Sequence, residues 1–507
     1  MCRDSVVLNK YEIIIYFFIW ISAVGYSIYK VYLINTYFDN YLDLYNDFII
    51  GWSWIGRKRD VSDEEWKIWI PLMINLIPWI CIHLLIGQLL KRFFNIKLLY
   101  YWNIFISLGF LCFYIGVHSA VCIFLQPCLL FFLTIRHNKL VKWLIFTSYL
   151  FILHFLKIQG GIFQQWLNLS NEEHHILTIA MCWVHLRSIS YAMDISTDYV
   201  LHINQLPSLK KNDLLSKIAY SLYLPTLFLG PLILYNEFVS SMNKPFKYFT
   251  LKDLMCFVTN VLRYAFWGYF TEFCMHFLYF NVLQHHPEIL KDINTWAFYG
   301  FGYCTGQYFF NKYVIIYGLN GSICEIDGIK APSKPRCIGR IHLYSDMWKY
   351  FDRGLYNFLV RYIYIPVSKS AVKKLFASFL CFTFVFLWHG MQDYIFIWSL
   401  LNYLGIVIEN TAKAISKMRF YKKIEKKYFS DKNQIRIYCA LASPLLTISA
   451  ISNFYFFSGR EIGNLFFIRI VNESWSNLLF LQLILYCCCH VSSYIKIMNN
   501  KNTKSMN

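Results

Sequence analysis

Charge is scarce in this chain. Of its 507 residues, 15% are Asp, Glu, Lys or Arg, where a soluble protein carries about 25%. Acidic residues are the scarcer sign, 29 against 48 basic, for a net charge of +19. Other absences narrow the function. No glycine-rich phosphate loop, paired CxxC pattern or GxSxG elbow occurs, which removes the P-loop, zinc-ribbon and α/β-hydrolase readings. No internal repeat is visible, so an inverted-repeat transporter is unsupported. The first apolar run, Tyr11 to Leu33, is followed by no small-residue cleavage site and reads as a signal anchor.

Apolar and aromatic residues are abundant instead, at 57% and 20%. A spanning helix needs about 20 apolar residues, and runs of that length recur throughout. The expected fold is an all-α multi-pass membrane protein. It forms one domain over residues 1–507, with roughly ten to twelve transmembrane helices, re-entrant elements and a disordered tail at about 496–507. The basic residues sit in short stretches between apolar runs, as the positive-inside rule expects, so a nucleic-acid partner is rejected. Most of the sixteen cysteines lie in or beside apolar segments and read as buried thiols. Cys487-Cys488-Cys489, near a membrane edge, carries an S-acylation pattern.

Several runs depart from a plain span. Leu98–Ile135 is long enough for two segments, with a turn near Val117-His118-Ser119. Ile176–Ile195 carries Arg187 and Asp194, so it should face protein or water. Ile218–Tyr235 holds Pro225 and Gly230-Pro231, which break a helix and suggest a re-entrant element. Met255–Phe280 contains Arg263, Glu272 and His276. Ion pairs or a polar tunnel would explain these groups equally well. Gly300, Gly302 and Gly306 would let a helix over Ala297–Tyr317 pack closely, and Leu319–Val367 reads as non-spanning.

Two residues stand out for chemistry. His389 ends an apolar run from Leu375 to Trp388, and an ionisable group at membrane depth is a functional candidate by default. Leu375–Asn410 would be about 54 Å of helix, against about 30 Å for one crossing. Lysines flank both ends, Lys373 and Lys374 before and Lys413 and Lys417 after. A bent pair turning at His389-Gly390-Met391-Gln392-Asp393 satisfies both facts and places His389 deep, toward the lumenal side. Neutral imidazole there can act as general base in acyl transfer. The alternative is a structural histidine bonded to a helix carbonyl. Asp352 lies on an expected helix from Leu343 to Tyr362, sharing a face with Tyr344, Trp348, Tyr356 and Leu359. It could orient His389, bind a cationic peptide N-terminus, or simply pair with Lys349. Asp346 is expected to pair with Lys349.

The stretches PRCIGRIHLYSDMWKYFDRGLYNFL (335–359), TFVFLWHG (383–390) and IWSLLNYLG (397–405) resemble the membrane-bound O-acyltransferase family, and within it the insect branch of the hedgehog acyltransferases. LRSISYAMD (186–194), YLPTLFLGPLILYNEF (223–238) and FSGREIGNLF (457–466) add to the resemblance, which covers most of the chain. The resemblance implies that His389 is the family's membrane-embedded histidine and Asp352 its second catalytic position. It implies that Trp348 lines or gates an acyl-CoA pocket, with Asn402 a further substrate-binding candidate. It implies that Cys337 ligates a structural haem b iron. The implied reaction moves palmitate from palmitoyl-CoA to the N-terminal cysteine of a secreted, Hedgehog-type protein, with Spitz-like ligands a further expectation. The implied site is the endoplasmic reticulum membrane, or the Golgi. A lipid O-acyltransferase of the same family, a non-catalytic regulator and a transporter are the alternatives. The chain departs from vertebrate-type members after Ile365-Pro366, where their glycine-rich loop is here the shorter Val367-Ser368-Lys369-Ser370.

Overall fold

A computed structural model describes residues 8–41, 47–158, 160–195, 214–246 and 248–505. Among the described residues one antiparallel hairpin pairs Phe48–Ile50 with Lys58–Asp60, and the remaining regular structure is helical. The first half contains α1 (Lys10–Tyr41), α2 (Glu64–Phe93), α3 (Ile96–Thr134), α4 (Lys139–Ile158), α5 (Gly160–Leu167), α6 (Asn171–Asp194), α7 (Leu214–Ser221) and α8 (Tyr235–Met242). The second half contains α9 (Leu251–Cys274), α10 (Thr295–Ile326), α11 (Tyr344–Tyr350), α12 (Arg353–Leu359), α13 (Ala371–His389), α14 (Asp393–Ile415), α15 (Arg419–Tyr428), α16 (Asp431–Val471) and α17 (Trp475–Ser505). Among the described residues nine helices are long and apolar enough to cross a membrane: α1, α2, α3, α4, α6, α13, α14, α16 and α17. α9 and α10 match them in length. The expected all-α multi-pass architecture is present. Leu85, Phe105 and Phe113 point outward, each more than 60% exposed, as a lipid-facing wall requires.

Glycine breaks two of the longest helices. α3 is interrupted at Gly116, whose φ of 81° is left-handed, one residue before the expected turn. α16 breaks at Gly459, φ 79°. Gly300 serves a different end: a Cβ there would collide with the backbone of Ser27, so α1 lies directly on α10. α10 also continues to Ile326, which shortens the expected non-spanning stretch at its start.

α6 is the buried centre. Its residues from Trp183 to Asp194 are all buried. Beside it the chain leaves helical form after Ser221, makes a 3-10 turn at Leu224–Thr226 and re-enters a helix at Tyr235. Every residue from Leu222 to Leu234 is buried. Non-helical backbone at this depth needs protein partners for its polar groups. Arg187 supplies them. Its Nη1 donates to the Ser221 carbonyl at 2.9 Å, and its Nη2 donates to Thr226 Oγ1 at 2.7 Å and to the Thr226 carbonyl. Asn320 of α10 donates to the Leu229 carbonyl. The other expected membrane-depth charges resolve mainly into ion pairs. Asp194 pairs with Arg361 at 2.9 Å, and Glu272 with Arg59 at 2.5 Å. His276 bonds the Trp52 amide and the Glu272 carbonyl. Arg263 is exposed.

Two local expectations need correction. α17 runs to Ser505, and Lys496 on it pairs with Asp346 at 2.5 Å while Ile497 is buried. That pair replaces the expected Asp346–Lys349 contact. Cys487, Cys488 and Cys489 are buried, so their thiols face protein and not an acyl donor.

His342 ties the segment before α11 to the last helices. Its ring nitrogens meet Ser492 Oγ at 2.7 Å and Tyr438 Oη at 3.0 Å. Burial pushes its pKa down to about 4, below the unfolded value of about 6.5. The unfolded chain therefore binds the extra proton first, and this group's contribution is full above pH ~6.5 and lost as pH falls toward 4. Thermal unfolding in detergent should show a steeper acid-side loss for wild type than for His342→Gln.

Candidate active site

α13 starts under a Ser370 cap, whose side chain accepts from the Lys373 amide, and ends at His389. The reversal that follows uses two left-handed residues, Gly390 (φ 120°) and Met391 (φ 58°). Such a φ costs a non-glycine residue about 1 kcal/mol or more, so Met391 holds a strained position immediately beyond the histidine. α14 then runs back, and the expected bent pair is present. Asp393 at its start pairs with Arg460 at 2.6 Å.

The His389 ring is walled by aromatics. Trp388 lies at 4.7 Å between centroids, Phe456 at 5.0 Å and Trp398 at 5.5 Å, all edge-on. Neither ring nitrogen has a hydrogen-bond partner among the described residues, and the side chain is half-buried. The structural alternative, an imidazole spent on a helix carbonyl, is not what is found here. That role falls to His154 of α4, whose Nε2 meets the Leu387 carbonyl. His154 thereby pins the last turn of α13 two residues before His389.

Trp348 of α11 reaches the same cluster. Its ring lies 5.6 Å from Trp398 and 4.9 Å from Phe382. Its Nε1 donates to Asn402 Oδ1 at 2.9 Å. Asn402 spends its other end on the Trp398 carbonyl at 2.8 Å and Ser452 Oγ at 3.4 Å. Both ends of the amide are thus occupied by protein, and Asn402 fixes the indole of Trp348. Glu409, one side of α14 further on, is buried and accepts from the Tyr344 and Ser345 amides at 2.5 and 3.3 Å. A carboxylate at the first turn of α11 offsets its unpaired N–H groups.

The expected helix from Leu343 to Tyr362 is broken at Phe351–Asp352. Asp352 has extended backbone and caps α12, with Oδ1 accepting from the Leu355 amide at 2.9 Å. It therefore shares no helical face with Trp348. Oδ2 accepts from Tyr317 Oη at 3.0 Å. Burial raises its carboxyl above the usual range, opposed by these bonds. Two residues on, Gly354 lies against the backbone of Leu232, where no side chain fits. The re-entrant segment thus sets the position of the capped helix. Asp352 makes no hydrogen bond to His389. Phe456, Phe309, Tyr313 and Tyr317 form a continuous aromatic series between them, with successive centroids 4.8–5.6 Å apart.

Cys337 is half-buried and lies away from this cluster. Its Sγ is 3.7 Å from Gln307 Oε1, and Cys488 Sγ donates to the Gly339 carbonyl at 3.6 Å. A Cβ at Gly339 would meet the Gln307 amide at 2.7 Å. Cys337 thus has a protein partner in Gln307, and these contacts lend no support to a haem site there. No group of three or more potential metal ligands occurs among the described residues. A cavity of about 870 Å³ forms a slot along α2 and α9 floored by α10. None of His389, Asp352, Trp348, Asn402 or Cys337 lines it.

His154, Glu409, Tyr317, Trp398 and Phe456 were not singled out from the sequence. His154 and Glu409, ionisable residues in apolar helices, carried a signal of the kind used for His389.

The chain is 29% identical over 470 residues to protein-cysteine N-palmitoyltransferase Rasp of Drosophila melanogaster, covering 91% of this chain and 90% of that protein. It is 25% identical over 482 residues to protein-cysteine N-palmitoyltransferase HHAT of Mus musculus, covering 92% and 94%. It is 22% identical over 366 residues to the HHAT-like protein of Mus musculus, covering 71% and 70%. The family model for the MBOAT, membrane-bound O-acyltransferase family matches residues 131–452, a span that contains α6, the re-entrant segment, Asp352 and His389. With that match over more than half its length, the chain belongs to the membrane-bound O-acyltransferase family.

Proposed function

We propose that this protein transfers palmitate from palmitoyl-CoA to the N-terminal cysteine of a Hedgehog-type secreted protein, in the endoplasmic reticulum membrane. The observation that carries the reading is the unbonded imidazole of His389, held at the end of α13 inside an aromatic wall. The names of the two relatives matched over nine-tenths of the chain point to the same chemistry. A base must be free to take a proton, and a ring already bonded on both sides is not.

In this reading the peptide's terminal ammonium gives one proton to water, and His389 takes the second from the amine nitrogen as it attacks. The amine nitrogen attacks the thioester carbonyl carbon, an N–C bond forms and the C–S bond breaks. The imidazolium returns its proton to the leaving CoA sulfur. Trp348, braced by Asn402, borders the acyl donor's path. Asp352 holds the start of α12 and the Tyr317 hydroxyl, and acts on the donor or on the incoming cation and not on His389 itself. Spitz-like ligands would be further substrates.

The Asp352 role has a clean test. Asn caps a helix about as well as Asp, whereas Ala loses about 1 kcal/mol. Asp352→Asn should unfold with wild type yet transfer at least about tenfold more slowly, if the charge matters to transfer. Asp352→Ala should lose stability as well. Thermal unfolding and initial rates on the same preparations separate the two effects.

The reaction class is tested in purified membranes with labelled palmitoyl-CoA and a peptide beginning with cysteine. Label entering the peptide supports the proposal. Label entering lipid alone would move the protein to the lipid-acylating members of the family.

A further inference from the structure

Among the described residues α15 combines a dense positive charge with the absence of any buried side chain. Its sequence, Arg419–Tyr428, reads RFYKKIEKKY, and none of it is buried. Phe420, Ile424 and Tyr428 recur every four residues and form one apolar stripe, exposed by 78%, 36% and 64%. Arg419, Lys422, Lys423, Lys426 and Lys427 cover the rest, with Glu425 the sole acid. Among the described residues no ion pair engages any of the five cations.

Its place in the chain says what covers it. α14 ends at Ile415, and α16 begins at Asp431. Both are long and apolar enough to cross a membrane. Ser416–Met418 and Phe429–Ser430 are too short to carry α15 away from the bilayer surface, since an extended residue spans at most about 3.6 Å. Exposed Met418 and Phe429 extend the apolar stripe at both ends. A basic amphipathic helix held at this height lies in the interface. The cytoplasmic leaflet carries the anionic lipid, and the lysine-rich flanks of α13 and α14 assign this edge to that side.

We propose that α15 is an anionic-lipid contact. It lies in the cytoplasmic interface with Phe420, Ile424 and Tyr428 among the acyl chains and its lysines on acidic headgroups. The contact steadies the end of α14. That helix carries Glu409, which holds the start of α11, and Asn402, which holds Trp348. The surface therefore connects leaflet composition to the braced indole without touching the reacting atoms.

Hydrogen exchange on the full chain in nanodiscs tests this. One disc holds phosphatidylcholine alone, the other phosphatidylcholine with phosphatidylserine. Amides of residues 419–428 should exchange about tenfold more slowly in the mixed disc. The difference should vanish in a variant with Lys422, Lys423, Lys426 and Lys427 replaced by Gln, and shrink in high salt. Equal rates in the two discs would overturn the proposal. So would protection that survives the glutamine variant, which would mean the helix packs on protein. Protection in the neutral disc only on adding palmitoyl-CoA would assign the lysines to that donor's phosphates and overturn it too.

Discussion

His389→Ala is expected to lower turnover on the order of 10³-fold, the usual scale for losing a positioned general base. The KM for palmitoyl-CoA and the unfolding temperature should stay near wild type. Both expectations follow from the contacts. The imidazole makes no hydrogen bond among the described residues, so its removal orphans no partner. Its neighbours Trp388, Trp398 and Phe456 also pack on other residues: Trp388 on Trp183, Trp398 on Trp348, and Phe456 on Phe309. The turn beyond it is held independently, by Gly390 and by the Met391 amide bonded to the Phe386 carbonyl. Initial rates over a range of donor concentration, with unfolding curves on the same sample, check the prediction. A variant with a raised KM and unchanged turnover would make His389 a binding residue.

Arg187→Ala is expected to cost about 3–5 kcal/mol, enough to remove most folded protein. The reason lies in backbone chemistry. The segment from Leu222 to Leu234 has little helix to satisfy its carbonyls, and every residue of it is buried. A single buried guanidinium bonds the carbonyls of Ser221 and Thr226 together with the Thr226 hydroxyl. Each buried acceptor left bare costs about 1–3 kcal/mol. Arg187→Lys should rescue little, because an ammonium is a point charge without the planar fork. The yield of monodisperse protein in mild detergent reads the effect directly. The same loss would reach the active site, since Leu232 of this segment lies against Gly354 beside Asp352.

The site was partly legible in the sequence, and the division has physical causes. His389 and its bent helix pair were readable because desolvation makes an ionisable residue in an apolar run conspicuous, and because 36 residues exceed one crossing. The re-entrant segment was readable from Pro225 and Gly230-Pro231, which cannot continue a helix. Asp352 was misread as part of a continuous helical face. Its i, i+4 spacing from Trp348 persists across a break, and aspartate is also a good N-cap. The usable signal was Gly354 two residues later. Partners distant in sequence were not legible at all. Asp346 meets Lys496, 150 residues away, and not Lys349. Tyr317, His154 and Glu409 reach the site by packing from other helices. The reading of Cys337 came from resemblance alone, and the contact its thiol makes is with Gln307.

The most direct measurement is the chemical linkage of the product. A peptide beginning with cysteine and its N-acetylated twin are each incubated with labelled palmitoyl-CoA and the purified protein, then treated with hydroxylamine, which cleaves thioesters and spares amides. The account predicts label on the free peptide alone, resistant to hydroxylamine, and none with His389→Ala. Stable label on the acetylated peptide, or label on the free peptide undiminished by His389→Ala, would contradict it.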